Sequence, residues 1–287
     1  MTYLRHLEAC NAFEPDRFLP LVFRDRRLGF VRKDRAALLE SVPEVFSLSP
    51  DALVLRDHGG RAAMNAALGE AVEAISRRDP DASRRGEDFA IRADWGGEVL
   101  FDLDRGLVPY FGTRSFGVHL NGWVAGDEIR TLWIGKRAID KKISPGKLDN
   151  IVAGGIGWGL GAGETLIKEA AEEADIGADL AARARPVGAI RYRMYVSGGL
   201  RDDTLFLYDL ELPEGFEPHN TDGEVETFLQ MPVSECLRLV RETDEFKFNV
   251  NLVLIDFGLR HGLIAPEEQG YLDLIDGLRG GLVKGPR

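Results

Sequence analysis

Strand-like and helical stretches alternate along this 287-residue chain, which predicts an α/β protein. Two further observations give that prediction its shape. The texture changes near Gly112, so we expect a smaller α+β accessory domain over residues 1–112 and a larger α/β domain over 113–287. Within the second part a glycine-rich loop runs straight into an alanine-rich, acidic helix, which is where the chemistry is expected.

The elements follow in order. Leu4, Leu7 and Phe13 suggest an opening helix. Residues 21–23 and 28–31 read as two strands around the polar turn 24–27. Ala63, Ala67, Leu68, Ala71 and Ile75 give residues 61–78 a helical period. The loop 77–86 carries Arg77, Arg78, Arg84 and Arg85, and such a charge run reads as a solvated face. Residues 118–124 and 131–136 are adjacent strands joined by the turn around Ala125, Gly126 and Asp127. A loop with Pro145 and Gly146 leads to Ile151-Val152-Ala153, the glycine stretch and a helix over 164–174. Strands are expected at 191–196, 204–212 and 224–230, and helices at 233–243 and 249–261, with Gly262 as a left-handed cap. The tail 280–287, rich in glycine, is expected to fray.

Composition narrows the function. Hydrophobic residues are 44% and charged residues 29%, enough to bury a real core. No apolar run approaches the roughly 20 residues of a membrane span, and the amino terminus lacks the charged-then-apolar pattern of a secretion signal. Cys10 and Cys236 cannot form a disulfide framework or, with five scattered histidines, a zinc cluster, so a reducing cytoplasm is the expected compartment. A net charge of -11 argues against a nucleic-acid polymer as partner, because neutralising phosphates takes surplus Lys and Arg.

Glu169, Glu172 and Glu173 stand at i, i+3 and i+4 and share one helical face. Like charges so spaced destabilise an isolated helix, which points to a cation between them. Oxygen ligands suit Mg²⁺ or Mn²⁺ rather than zinc. The other face carries Leu166, Ala170 and Ala174, fitted to close packing on a sheet. The glycines upstream let backbone approach a ligand. Strand, glycine loop and acidic helix together suit metal-assisted attack on a diphosphate. Glu224 and Glu226 point to the same side of a strand by period two, so either is a candidate to complete the metal shell, or both form an exposed acidic edge. His119 reads as a packed histidine, and Trp158 as either a ring-stacking residue or a cap on the core.

The segment from Gly154 to Ile176 resembles the Nudix box: a glycine, five spacers, Glu, seven spacers, Arg-Glu, an aliphatic, a spacer, Glu-Glu, a spacer, Gly and an aliphatic. Gly154, Glu169, Glu172, Glu173 and Ile176 match. Leu160 stands at the first Glu, Lys168 at the Arg, Ala170 at the aliphatic and Asp175 at the second Gly. The flanks Phe116–Gly122, Trp133–Arg137, Pro145–Gly155, Tyr208–Leu212, Asp222–Glu226 and Ile255–Gly262 are similar to the Nudix subgroup related to thiamine-pyrophosphokinase-associated hydrolases, whose members carry their own amino-terminal domain.

That resemblance implies an α/β/α sandwich with a mixed sheet, and a hydrolase that cleaves a small-molecule diphosphate. Thiamine diphosphate and its oxidised analogues are the implied substrates, giving the monophosphate and phosphate. Glu169 and Glu173 would be the catalytic residues, with Glu169, Glu172, Glu173, Glu224 and Glu226 the metal set. Gly154, Gly155, Arg137 and Lys168 would bind substrate, Lys168 more by bracing the glutamates than by clamping phosphate. Oxidised nucleoside diphosphates are the alternative substrates. A Nudix-fold sensor that binds without cleaving is the alternative class, kept open by Leu160 and Asp175. Whether the protein forms a homodimer is left open by the sequence.

Overall fold

The computed structural model describes residues 2–125 and 129–280. The turn expected around Gly126 and Asp127 and the tail beyond Gly280 lie outside the described residues.

The first part runs through α1 (Leu4–Cys10), β1 (Phe18–Phe23), β2 (Arg26–Arg32), α2 (Ala36–Glu40), β3 (Phe46–Leu48), β4 (Leu53–Leu55) and α3 (Arg61–Ser76). It ends with β5 (Asp88–Ile91), β6 (Phe101–Asp104) and α4 (Val108–Phe111). Its main sheet has the order β2-β1-β4-β3, and β5 and β6 form a separate antiparallel pair. The short strands β3 to β6, three or four residues each, carry too little alternation to be seen in sequence.

The second part holds β7 (Arg114–Ala125), β8 (Ile129–Arg137), β9 (Leu148–Asn150), β10 (Val152–Gly155), α5 (Ala162–Ala174) and α6 (Ala178–Ala181). Then come β11 (Arg185–Val196), β12 (Gly199–Leu212), β13 (Val225–Pro232), α7 (Val233–Glu242), α8 (Val250–Arg260) and α9 (Tyr271–Gly280). The seven-stranded sheet has the order β11-β12-β7-β8-β13, with β10 on β7 and β9 on β8. The β12–β7 pair is parallel and the other pairs are antiparallel, so the sheet is mixed.

Alternation along the strands sorts side chains to two faces. Val118 and Leu120 of β7 pack on one face with Leu166, Ala170 and Ala174 of α5. Leu205 and Leu207 of β12 pack on the other with α7, α8 and α9. The result is helix, sheet, helix, as expected. The opening helix belongs to this second core, because Tyr3, Leu7 and Cys10 are buried with it. Among the described residues no helix is long and apolar enough to cross a membrane.

The two parts meet along a polar and a backbone seam. Arg35, 4% exposed, donates to Asp79 and Asp81 and reaches the Gly198 carbonyl at 2.8 Å. Gly199 is required beside it: its φ of +138° suits glycine, and a Cβ there would drive into the Pro109 carbonyl oxygen. Phe89 of β5 packs against Gly155 of β10, and the Trp158 N–H donates to the Asp88 carbonyl at 3.0 Å.

Candidate active site

Helix α5 starts where Glu164 accepts the Gly161 N–H at 2.7 Å. Its apolar stripe buries on the sheet, which turns Glu169 and Glu173 toward β10. Glu173 is 7% exposed and accepts the Ala153 N–H at 2.7 Å. Burial pushes its carboxyl well above the usual range. That backbone bond pulls it down, and the nearby Asp149 and Glu169 charges push it further up. Glu169 lies over Gly154, in space that any side chain at 154 would fill. Burial raises its carboxyl too, with Lys168 pulling against the shift. The Lys168 ammonium stands between Glu172 at 2.5 Å and Glu169 at 3.4 Å and pairs with both carboxylates.

The five candidate carboxylates do not converge on one point. Among the described residues no three His, Cys, Asp or Glu side chains are grouped to hold a metal ion. Glu224 lies just before β13 and pairs with Lys141 at 2.5 Å, while Glu226 sits at the bulge between Val225 and Thr227 and pairs with Lys136 at 3.0 Å, so the two do not share a strand face. The donor chemistry still fits a hard divalent cation. An ammonium already sits between Glu169 and Glu172, and Glu224 is near enough to act on Glu169. Mg²⁺ needs only one or two carboxylates when substrate phosphates and water complete its shell.

Beside these residues lies a cavity of about 460 Å³ between the two parts of the chain. Ala153, Gly154 and Gly155 form one wall. Arg137, Lys141, Lys142, Arg201 and Lys247 line it from the second part, and Arg85, Phe89 and Arg105 from the first. Seven Lys or Arg face three Asp or Glu (Asp140, Asp203 and Glu224), so the cavity suits an anion despite the acidic net charge of the chain. Arg137 is held in place by Asp149 at 2.7 Å and by the Ile143 and Ser144 carbonyls, and Lys247 shares Asp149 at 2.9 Å. One carboxylate shared by two cations leaves positive charge for a ligand.

Arg85 departs most from the sequence expectation. Its side chain lines the cavity, and burial together with Arg105 and Arg201 depresses its pKa. Among the described residues its guanidinium has no ion-pair partner, whereas Arg105 pairs with Glu87 at 2.8 Å. Nothing in the local run of arginines marks Arg85 out, because only the packing of the two parts brings it to the cavity. His119 also lines the cavity while being 3% exposed. Trp158 is 53% exposed with Arg61 4.9 Å over its ring, so it does not cap the core. Cys10 and Cys236 are free and buried, and burial pushes each thiol up to about 12, which makes them inert packing residues.

Comparison with known proteins decides the family. Nudix hydrolase 20, chloroplastic, of Arabidopsis thaliana is 38% identical over 272 residues, covering 91% of this chain and 73% of the relative. The chain belongs to the Nudix hydrolase family. Nudix hydrolase 24, chloroplastic, of the same plant is 36% identical over 291 residues, covering 97% and 78% of the two chains. A family model described as a domain of unknown function, DUF4743, matches residues 2–115. Among solved structures, DR0079 from Deinococcus radiodurans is 19% identical, covers 58% of this chain and 96% of its own, and has a TM-score of 0.45.

As a Nudix hydrolase the chain is an enzyme acting on phosphorus anhydrides, a family that generally uses divalent metals. The expectation of a cytoplasmic protein is corrected: both plant relatives, Nudix hydrolases 20 and 24, are named as chloroplastic.

Proposed function

We propose that this Nudix hydrolase binds a small-molecule diphosphate in the cavity between its two parts and cleaves it with Mg²⁺ or Mn²⁺. Thiamine diphosphate and its oxidised analogues are the favoured substrates, giving the monophosphate and phosphate. The observation that carries the reading is the cation-rich cavity walled by Ala153, Gly154 and Gly155, the same strand residues against which Glu169 packs and to which Glu173 is hydrogen-bonded.

Glu169 and Glu172, with Glu173 and Glu224 beside them, would hold the metal, which supplies charge neutralisation of the diphosphate and an acidified water. The chain's own contribution is positional. Arg137 and Lys247, fixed by Asp149, hold phosphate oxygens. Gly154 and Gly155 let those oxygens come close to backbone. Glu173, whose carboxyl pKa is raised by burial, which makes it a better proton acceptor, takes a proton at its carboxylate. Phe89 on Gly155 and the β5 wall exclude water from the first-part side.

The sensor reading is favoured by one observation, the Lys168 ammonium already occupying the space between Glu169 and Glu172. Metal dependence separates the two. Phosphate release from thiamine diphosphate should stop on chelation and return with Mg²⁺ or Mn²⁺; binding that persists with no release under any metal supports the sensor. Arg85→Gln should raise KM about tenfold with a smaller change in kcat, as expected when one unpaired phosphate-facing cation is lost. Steady-state kinetics checks this, and an unchanged KM would remove Arg85 from the substrate site.

A further inference from the structure

A chain of buried hydrogen bonds crosses the sheet to the cavity, and its direction is set at its far end. Asp209 is 8% exposed and accepts from Arg260 Nη1 at 2.7 Å, from Asn121 Nδ2 at 2.9 Å and from His261 Nε2 at 3.2 Å. Burial alone would raise its pKa, but the bonds from Arg260 and Asn121 more than reverse this and hold it below the usual carboxylate range. An ionised carboxylate can only accept. Asn121, its register partner on β7, must therefore turn its NH₂ toward Asp209 and its oxygen toward β9.

Asn150 Nδ2 accordingly donates to Asn121 Oδ1 at 2.9 Å, which leaves Asn150 Oδ1 to meet His119 Nδ1 at 2.8 Å. An amide oxygen accepts, so Nδ1 carries the proton. A neutral imidazole has one N–H, so Nε2 carries a lone pair. Burial drives the ring pKa down to about 4, with Lys247 and Arg137 lowering it and Asp149 and the Asn150 bond raising it, so the ring is neutral. Among the described residues Nε2 has no hydrogen-bond partner, yet it is not one of the atoms sealed from solvent, and His119 lines the cavity.

We infer that His119 is an acceptor-only recognition point in the cavity, whose Nε2 lone pair selects a diphosphate with an N–H or O–H donor on its non-phosphate moiety. The inference rests on the cavity being the substrate site. It assigns a role to the Asp209–Asn121–Asn150 relay that packing alone does not require: an Nε2–H tautomer would fill the same space and reject the same ligand.

Two measurements on the full chain test it. Nitrogen-15 NMR of histidine-labelled protein, with His119 assigned among the five histidines by its loss in His119→Gln, should show a neutral ring protonated at Nδ1 near pH 6. A ring protonated at Nε2, or charged at that pH, overturns the inference. The second measurement is equilibrium binding with Mg²⁺, in a Glu173→Gln background that keeps ligands uncleaved. The ligands are thiamine diphosphate against its analogue lacking the pyrimidine amino group, and guanosine against inosine diphosphate.

In the tighter-binding pair the donor-bearing compound should bind about tenfold better, and His119→Leu should bring that ratio to within about twofold. A ratio near one, a ratio that survives His119→Leu, or no binding by any of the four compounds overturns the inference. Should His119→Leu fail to fold, Asn121→Leu cuts the relay while keeping the imidazole. It should give mixed tautomers and a reduced ratio, and an unmixed tautomer with an unchanged ratio overturns the inference. Donor-dependent binding with no cleavage by the wild-type protein rejects the hydrolase reading and leaves His119's role standing. Cleavage without donor dependence rejects the role of His119 alone.

Discussion

Glu173→Gln is expected to lower diphosphate turnover by roughly 10²- to 10⁴-fold, the range for losing a group that handles a proton at the reacting centre, and at the same time to raise the melting temperature at neutral pH. The two effects share one cause. Glu173 is 7% exposed and held against the Ala153 N–H, a bond that the glutamine oxygen keeps. Burial raises the carboxyl's pKa in the folded protein. A group with a raised folded pKa contributes stability that is fully present below its unfolded pKa and is lost as pH rises through the folded value. At neutral pH the wild-type carboxylate has lost that contribution, while the amide does not titrate. The melting temperature of Glu173→Gln should therefore match the wild type near pH 4 and exceed it increasingly toward pH 8. Thermal unfolding across that range, beside kcat, checks both halves. A variant that is less stable at every pH would show that Glu173 is a structural carboxylate, and retained turnover would remove it from the catalytic site.

Gly154→Ala is expected to be nearly as damaging to activity without touching an ionisable residue. A Cβ at position 154 would lie 2.8 Å from Glu169 Oε1 and nearer still to its Cγ and Cδ. Glu169 would have to leave its place against Gly154. Overpacking of this kind costs about 1–3 kcal/mol, and displacing a reacting-centre side chain by an ångström can cost on the order of 10²-fold in rate. Gly163→Ala is the control. Nothing lies within 4 Å of a Cβ there, in the first turn of the same helix, so it should fold and turn over as the wild type does. Kinetics and unfolding of the pair check this, and equal behaviour of the two variants would show that Glu169 does not need its present position.

Much of the carboxy-terminal architecture was legible because its signals are local. The three glutamates at i, i+3 and i+4, the stripe of Leu166, Ala170 and Ala174 and the glycines before them all lie within about twenty residues, and they fold as α5 on β10. Strands β11 and β12 were placed but underestimated, because consecutive polar residues such as Arg201, Asp202 and Asp203 interrupt the alternation and hid strand inside apparent turn. Helix α9 was missed: Leu4 and Leu7 of α1 fit against Gly270 and Gly277, a contact between the chain's two ends that no local period announces.

The cavity was the least legible part. Lys247 reaches Asp149 across 98 positions, and Asn121 reaches Asp209 across 88. Arg85 gains its meaning only when the first part docks on Gly155 and beside Arg201. His119 is a packed histidine, as its place mid-strand suggested, but one with a ring edge on the cavity. For Glu224 and Glu226 the period-two argument failed because Glu224 precedes the strand and Glu226 sits at its bulge, and the two pair with separate lysines.

The most direct test of the central claim is product analysis of the purified protein with Mg²⁺ on thiamine diphosphate, its oxidised analogues and oxidised nucleoside diphosphates, with Glu173→Gln alongside. The account predicts monophosphate and phosphate from at least one diphosphate, strongest for the thiamine compounds, dependent on the metal and nearly absent in the variant. Tight binding with no cleavage of any compound under Mg²⁺ or Mn²⁺ would contradict it.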